Sequence, residues 1–491
     1  MALRYLASIS HYIPEMLLCL TMAGLILIES TYGREVKGRA KGMVYAGAYL
    51  GLLATFVSLF KTMGTEPLQI FTGSIVIDSF GTLAKMVMVV GTAAAIYLGR
   101  QSLDIYEEVK SEFVILAIGV LIGGMLIVSA NNMLIFYIGI ETLSILSYVM
   151  ASLKKNDERS SEAGLKYSLY GGITAGIMLF GMSHIFGVLG TIQFNEVIPA
   201  MAALTKTQSL IIMPAFVLFF AGIGYKIACV PFHMWSPDVY EGSPLPVTNF
   251  FSIVPKIAGV VALVRITNTF FGGDTSIVRE TWVCLLMIAS ALTMTVGNVS
   301  AIGQRSVKRM LAYSSISHAG VMLLGVLVID DLGARAILFY AVTYLFMTLV
   351  AFFITSFVQD HYGNDHFERF NGLISKHPLM SILMITVMFS LAGLPPLSGF
   401  VAKFNILAAI IAKKYYVLAV IAVLNSVVSL YYYLKIVRIM VFKDAESDET
   451  IPGFGFSNQL VITIMTLPVL LLGIFWEKLV VIAGGAKIFI Q

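Results

Sequence analysis

Gly222–Trp235 reads GIGYKIACVPFHMW and lies inside an apolar run of membrane length, about residues 209–240. It sets one lysine, Lys226, ahead of one proline, Pro231. A charge at the bilayer centre costs about 2.5–3.5 kcal/mol on insertion scales. Proline removes a backbone donor and clashes with the preceding turn. Irregular backbone survives at membrane depth only where protein or a wet cavity covers it. The stretch therefore predicts a bundle of membrane helices with an interrupted member, built around buried charge.

Composition extends that reading to the whole chain. Of 491 residues, 58% are hydrophobic and 12% charged, against roughly 25% charged in soluble proteins. Apolar runs of about 18 or more residues recur throughout. The expected fold is an all-α polytopic membrane protein with about 14 transmembrane helices. Their approximate spans are 12–30, 42–60, 76–98, 113–129, 132–152, 165–190, 209–240, 245–267, 281–300, 309–329, 332–357, 378–412, 415–441 and 459–484. With no long polar segment, residues 1–491 read as a single membrane domain. The N-terminal apolar stretch lacks a basic leader and a clear cleavage site, so it reads as a retained first helix. The net charge of +4 forms no nucleic-acid face. Cys19, Cys229 and Cys284 are far apart and read as small buried hydrophobes, not as a disulfide or cluster site. The chain has no phosphate-binding glycine motif and no metal-ligand cluster, so it is expected to hold no nucleotide, metal or redox centre.

A second interruption occurs in Leu391–Phe404, LAGLPPLSGFVAKF, where Pro395 and Pro396 precede Lys403. The seventh and twelfth helices are thus both broken, as in transporter cores built from inverted repeats. Spacing supports a repeat: Glu141 to Lys226 and His318 to Lys403 are each 85 residues. The implied offset of 177 carries Lys256 to position 433, two short of Lys435. An odd number of helices separates the copies, so the second is inverted. Residues of about 113–267 form the expected first repeat and about 281–441 the second, with flanking helices at both ends.

Basic loops set the orientation. Arg34, Lys37, Arg39 and Lys41 follow the first helix; Lys154, Lys155, Arg159 and Lys166 follow the fifth; Arg305, Lys308 and Arg309 follow the ninth. That side is read as cytoplasmic, here called inner, and both termini as lying on the opposite side. The loop near 268–280 and the Asp330-Asp331 turn fall outside, where Lys413 and Lys414 are the exception.

Intramembrane ionisable groups are functional candidates by default. Glu141 lies in YIGIETLSILSY (Tyr137–Tyr148), Lys256 follows Pro255 in FFSIVPKIAG (Phe250–Gly259), and His318 lies in MLAYSSISHAG (Met310–Gly320). A lysine beside a broken helix can bind a proton reversibly, because burial weakens its hold and a nearby carboxylate strengthens it. Histidine titrates near neutral pH and can pass protons between lysines, or simply satisfy a hydrogen bond. Glu141, Lys226, Lys256, His318 and Lys403 are the expected proton-transfer groups. His233, His184 and Lys435 are secondary candidates. Asp78 and Lys85, seven apart on one helix face, are another secondary pair, with a structural ion pair as the competing reading. Pro231, Pro255, Pro395 and Pro396 are the expected break points. Tyr431, Tyr432 and Tyr433 and Trp476 read as packing or interfacial residues.

These stretches, with Ile13-Pro14-Glu15, SEAGLKY (Ser161–Tyr167), PFHMWSPDVYEGSPLPV (Pro231–Val247), KRMLAYSS (Lys308–Ser315) and LNSVVSLYYY (Leu424–Tyr433), resemble subunit N of bacterial respiratory complex I. That family is equivalent to mitochondrial subunit 2. KRMLAYSS and PFHMW are shared by all antiporter-like subunits, whereas PDVYEGSP and Lys403 favour subunit N over subunit M, which typically carries a glutamate there. The resemblance implies a proton-translocating subunit of NADH:quinone oxidoreductase, a translocase with its redox chemistry elsewhere. It implies Glu141 and Lys226 as an input ion pair, Lys256 as central relay, His318 as the link and Lys403 as the exit-side lysine. NADH, FMN, iron–sulfur clusters and quinone would belong to the complex. The partners implied are subunit M, small membrane subunits near the quinone module, and the lipid of a bacterial inner membrane. A multi-subunit cation/proton antiporter and a membrane-bound hydrogenase complex are the rival assemblies.

Overall fold

The computed structural model describes residues 8–32, 37–272, 277–444 and 455–485. Arg34 and residues 273–276, on which part of the orientation reading rests, lie outside the described residues.

The helices are α1 (Ile13–Tyr32), α2 (Lys37–Thr62), α3 (Ser79–Gln101), α4 (Lys110–Ser129), α5 (Met133–Ala151), α6 (Glu158–Leu189), α7 (Phe194–Ala202), α8 (Lys206–Lys226) and α9 (Trp235–Gly242). They continue with α10 (Leu245–Phe271), α11 (Ile277–Ile302), α12 (Val307–Leu327), α13 (Asp331–Tyr362), α14 (Leu373–Lys376), α15 (Pro378–Ala392), α16 (Ser398–Ala412), α17 (Tyr416–Phe442), α18 (Phe456–Ile474) and α19 (Trp476–Gly484). Among the described residues, 13 helices are long and apolar enough to cross a membrane, and α15 and α16 are shorter apolar helices. The only sheet there is an antiparallel hairpin, β1 (Leu68–Ile70) with β2 (Ile75–Ile77), too short to leave a hydropathy signal.

Burial sorts these helices into layers. A helix that is apolar all round belongs in the interior, and every residue of α10 is buried. α12 and α13 are almost as enclosed, whereas α1, α6 and α18 turn most of their surface outward. α11 lies close along α12. A Cβ on Gly297 would stand 2.6 Å from the Ser317 nitrogen, and one on Gly320 would stand 2.6 Å from the Met294 nitrogen. Only glycine permits that approach, which fixes the depth and rotation of the helix carrying His318.

Both expected interruptions are present. The seventh span divides into α8 and α9, with irregular backbone between Lys226 and Trp235, and the twelfth divides into α15 and α16. α15 closes on Gly393 at φ +89°, a left-handed helix end that favours glycine. Three expectations need correction. Pro255 breaks nothing, since α10 runs through it from Leu245 to Phe271. Packing on all sides keeps the helix intact despite one lost hydrogen bond. The expected last span, 459–484, is two helices, α18 and α19. Cys19 and Cys284 are exposed on outward faces and only Cys229 is buried, because a membrane helix can present a small apolar thiol outward at little cost.

Candidate functional site

Lys226 is the last residue of α8, and beyond it the ladder fails for want of a donor at Pro231. Its side chain is 2% exposed and its ammonium has no hydrogen-bond partner. It stands 5.5 Å over the Tyr167 ring, within cation–π range. That ring is held firmly, stacked on Trp235 at 4.4 Å and edge-on to Tyr148 at 4.9 Å. The Trp235 indole donates to the Tyr225 carbonyl at 3.0 Å, and the Tyr225 hydroxyl donates to the Tyr167 carbonyl at 2.7 Å. From α11, the Thr293 hydroxyl accepts from the Val230 nitrogen at 3.0 Å and so pins the break.

Glu141, half-buried on α5, is the charge that acts on Lys226, but the two do not form the expected ion pair. No Lys226–Glu141 contact falls within 4.0 Å, and Glu141 Oε1 has no partner. The cause is geometric: the lysine stem lies against Gly259 of α10, where a Cβ would be 3.7 Å from it, and its head turns to Tyr167.

Gly259 is nearly one helical turn from Lys256 on the same helix. Lys256 donates to the Ser315 carbonyl and hydroxyl, each at 2.8 Å. Ser315 sits on α12 a turn before His318. The His318 ring lies between two phenols, with Nδ1 2.5 Å from the Tyr340 hydroxyl and Nε2 3.0 Å from that of Tyr433. A small cavity lined by His318, Lys403, Asn298, Asn425, Ser429 and Tyr433, among others, joins the histidine to the last lysine. Lys403 is 9% exposed and donates to the carbonyls of Leu391 and Ala392 at 2.9 and 3.0 Å. These are orphan carbonyls at the end of α15, where a helix presents partial negative charge.

The secondary candidates lie elsewhere. His184 is exposed, with Nδ1 3.0 Å from the carbonyl of Phe180 on its own helix. His233 sits half-buried in the first break, its Nδ1 without a partner. Lys435 donates to the Gln304 carbonyl at 3.4 Å and lies 4.1 Å over the Phe367 ring, toward the C-terminal end of α17. Asp78 and Lys85 do not pair with each other. Asp78 caps α3 and binds Arg265 through two contacts of 2.7 and 2.8 Å, whereas Lys85 binds Glu15 at 2.5 Å. A seven-residue separation puts both groups on one face, but two turns apart, so each finds a closer partner on another helix. Neither Arg265 nor Glu15 is among the candidates the sequence offers; Arg265 is a charge inside an apolar run, the same signal that marks Lys226, whereas Glu15 lies in the first turn of α1. Tyr340, Tyr433 and Ser315 carried no such signal.

At the end of the bundle that carries the basic loops the charges interlock. The Leu245 nitrogen donates to Asp104 at 2.7 Å, Lys154 pairs with the same carboxylate, and Lys308 donates to the Ser243 carbonyl at 2.5 Å. Burial of Asp104 opposes its charge, but Lys308 and Lys154 outweigh burial and hold the carboxyl below its ordinary range. Among the described residues, no group of three or more His, Cys, Asp or Glu side chains could hold a metal.

The family described as NADH:quinone oxidoreductase/Mrp antiporter, TM, matches residues 130–429. NADH-quinone oxidoreductase subunit N 2 of Sorangium cellulosum is 37% identical over 485 residues, covering 96% of this chain and 95% of that protein. Subunit N of Methylobacterium nodulans is 37% identical over 479 residues, covering 96% of each. A chain of respiratory complex I from Thermus thermophilus superposes with a TM-score of 0.80 at 28% identity, covering 96% of this chain and all (100%) of that one. A chain of the Mrp complex from Dietzia superposes with a TM-score of 0.79 at 20% identity, covering 97% and 96%, a likeness of fold alone. The chain belongs to the NADH:quinone oxidoreductase/Mrp antiporter transmembrane family and, within it, to the NADH-quinone oxidoreductase subunit N proteins.

Proposed function

We propose that this chain is a proton-translocating membrane-arm subunit of an NADH:quinone oxidoreductase, moving protons along Glu141, Lys226, Lys256, His318 and Lys403. One observation carries the reading: Lys226, Lys256, His318 and Lys403 are all enclosed by protein, with Lys256 bound to Ser315 one turn before His318 on α12 and a small cavity lined by both His318 and Lys403. Retained intramembrane charge on this scale has no cheap structural purpose.

Each group has a distinct part. The unpartnered Lys226 ammonium responds to Glu141. With the carboxylate charged and near, the lysine holds its proton; with that charge neutralised or withdrawn, burial drives the proton off. Lys256 takes it, steadied by Ser315. His318 passes it between two phenols through its two ring nitrogens. The carbonyls of Leu391 and Ala392 receive the ammonium of Lys403 before release outward.

The finer assignments follow from this reading and from the relatives. The chain works as part of a translocase in a bacterial inner membrane, with both termini on the outer side. Its partners are the antiporter-like subunit M and the small membrane subunits near the quinone module. NADH, FMN, iron–sulfur clusters and quinone belong to the complex and not to this chain. Residues of about 113–267 and 281–441 are the two inverted halves, an assignment motivated by their two breaks and the common 85-residue spacing. Relatives named subunit N at 37% identity favour this assembly over a cation/proton antiporter or a hydrogenase complex.

Lys226→Ala tests the reading. Alanine is well tolerated in helices, so complex content should persist while NADH-driven proton pumping is lost. Lys226→Arg should be defective too, since arginine keeps its proton. Normal pumping at normal complex content in Lys226→Ala would sink the assignment. Co-purification with cation-antiporter subunits alone would replace it with the rival.

A further inference from the structure

At the end that carries the basic loops, α5 and α6 leave a groove of about 480 Å³ between them. It lies outside the run from Lys226 to Lys403. Two glycines of α6 set its floor. A Cβ on Gly164 would stand 2.6 Å from the Ser152 Cβ, and Gly171 leaves no room for one beneath the Tyr148 hydroxyl. The helices therefore touch at the base. Beside that contact Val149 and Leu165 supply apolar walls, and Ser161 and Ser168 supply hydroxyls.

Along the groove the chemistry changes in one direction. Toward the bilayer centre it continues into exposed Ile145, one turn from Val149, and exposed Leu169, one turn from Leu165. Toward the loop it ends at exposed Lys155. Exposed Glu158 comes to the same rim, because it precedes Ser161 by three residues on α6. Among the described residues neither charge forms an ion pair within 4.0 Å. Each alone has an ordinary explanation. A loop lysine orients the chain, and a carboxylate in the first turn favours a helix start. Neither accounts for an unpaired cation and an unpaired anion beside hydroxyls at the head of an apolar groove. Basic pockets between membrane helices on the cytoplasmic side hold lipid headgroups. Here the added carboxylate repels a purely anionic headgroup and matches one that carries an ammonium as well as a phosphate.

We propose that this groove seats one aminophospholipid, its phosphate on Lys155 and the Ser161 hydroxyl, its ammonium toward Glu158 and one acyl chain along Val149 and Leu165. Two rings connect the seat to the lysine of the first break. Tyr148 lines the groove and stands edge-on to Tyr167 at 4.9 Å, and the Tyr167 ring faces the Lys226 ammonium at 5.5 Å. A chain lying against Tyr148 restricts it and so steadies the ring beneath Lys226. This second step rests on the reading of Lys226 as a proton carrier; the seat itself does not.

The test uses the whole complex in vesicles that contain a trace of phosphatidylethanolamine with a photoreactive acyl chain. Illumination should attach the probe to residues 145–169. Unlabelled phosphatidylethanolamine should displace it several-fold better than phosphatidylcholine or phosphatidylglycerol. Lys155→Glu should lower attachment several-fold. Lys155→Glu combined with Glu158→Lys should recover it, because the exchanged charges still meet a headgroup of both signs. Ser168→Trp fills the groove, leaves the rim charges in place and should abolish attachment. Attachment is read per assembled complex; if Lys155→Glu does not assemble, Ser168→Trp and the displacement series decide. Equal attachment in the parent and Lys155→Glu overturns the proposal, and so does equal displacement by all three lipids, the mark of ordinary boundary lipid. Absence of attachment in the intact complex, as expected where a partner subunit fills the groove, overturns it too. Pumping in vesicles without phosphatidylethanolamine separates the seat from its effect. It should fall several-fold, while Lys226→Ala keeps parental attachment. Parental pumping there removes the link through Tyr148 and Tyr167, and parental attachment in a Lys226→Ala that still pumps removes the carrier reading alone.

Discussion

Lys226 and Lys403 each border a proline-interrupted helix, yet the two breaks hold their lysines in opposite ways. Lys403 donates to two carbonyls at the end of α15, and the Gly399 nitrogen donates to the Ser390 hydroxyl at 3.0 Å, so this break is tied within its own pair of half-helices. Lys226 has no hydrogen-bond partner, and its break is tied both across its half-helices, by the Trp235 indole on the Tyr225 carbonyl, and from outside, by Thr293 of α11. The second break is a self-contained seat for an ammonium. The first leaves an ammonium dependent on what approaches it, here the charge of Glu141. A switch needs such a dependent group, and a release site needs a settled one.

Removing the two charges should expose that difference most sharply. Lys226→Leu and Lys403→Leu should each cut pumping by about 10²-fold, the scale of a lost proton-transfer group. Their effects on assembly should diverge. Lys226→Leu deletes a buried charge with no partner to orphan, so complex content should stay near parental. Lys403→Leu strips the donor from the Leu391 and Ala392 carbonyls, costing about 1–3 kcal/mol for each group left unsatisfied. Quantifying assembled complex and its thermal midpoint checks this. A larger stability loss in Lys226→Leu would reverse the comparison.

The ties should separate next. Thr293→Val leaves the Val230 nitrogen unbonded, at about 1–3 kcal/mol, and should loosen the first break enough to raise thiol labelling of the buried Cys229. Ser390→Ala should leave Cys229 labelling unchanged while lowering the thermal midpoint. Equal labelling in both variants would mean that the breaks are not held independently. A smaller effect is expected in a double-mutant cycle. Glu141→Gln with Lys226→Ala should show coupling of about 0.5–3 kcal/mol on pumping, whereas Glu141→Gln with Lys403→Ala should be nearly additive. Coupling of equal size in both cycles would erase the distinction drawn between a dependent and a settled lysine.

Local signals carried much of this architecture. Apolar period and length marked nearly every helix, and prolines beside lysines marked both interruptions, because these features depend on neighbours in the chain. What the chain order hid were contacts made across helices. Asp78 and Lys85 share a face, but their partners Arg265 and Glu15 come from α10 and α1. Pro255 resembled Pro231 as a residue type, yet the enclosed α10 absorbs it. The phenols around His318 were invisible as chemistry, since a tyrosine in an apolar run reads as packing until its hydroxyl is seen to meet a ring nitrogen.

The smallest expected effect concerns the comparison carried one residue pair further. The 177-residue offset takes Lys256 to position 433, and the sequence reading turned to the nearest charge, Lys435. Position 433 itself holds the more telling group. Tyr433 is fully buried, its hydroxyl 3.0 Å from His318 Nε2 and 2.5 Å from the Ser314 hydroxyl, while Lys435 lies over Phe367 toward the C-terminal end of α17. Under the proposed repeat, a lysine of the first half and a phenol of the second would share the position: Lys256 binds Ser315 of α12, whereas Tyr433 meets Ser314 of α12 and also reaches the histidine. Tyr433→Phe should therefore slow pumping by about threefold to tenfold, below the loss of a charged carrier, because water in the adjoining cavity can partly replace one hydroxyl. Lys435→Gln should leave pumping within error of the parent, its charge lying outside the proposed path. Pumping rates at matched complex content decide the matter. A larger loss in Lys435→Gln than in Tyr433→Phe would mean that the second half of the path bends toward the inner face, and the correspondence of Lys256 with Tyr433 would fall.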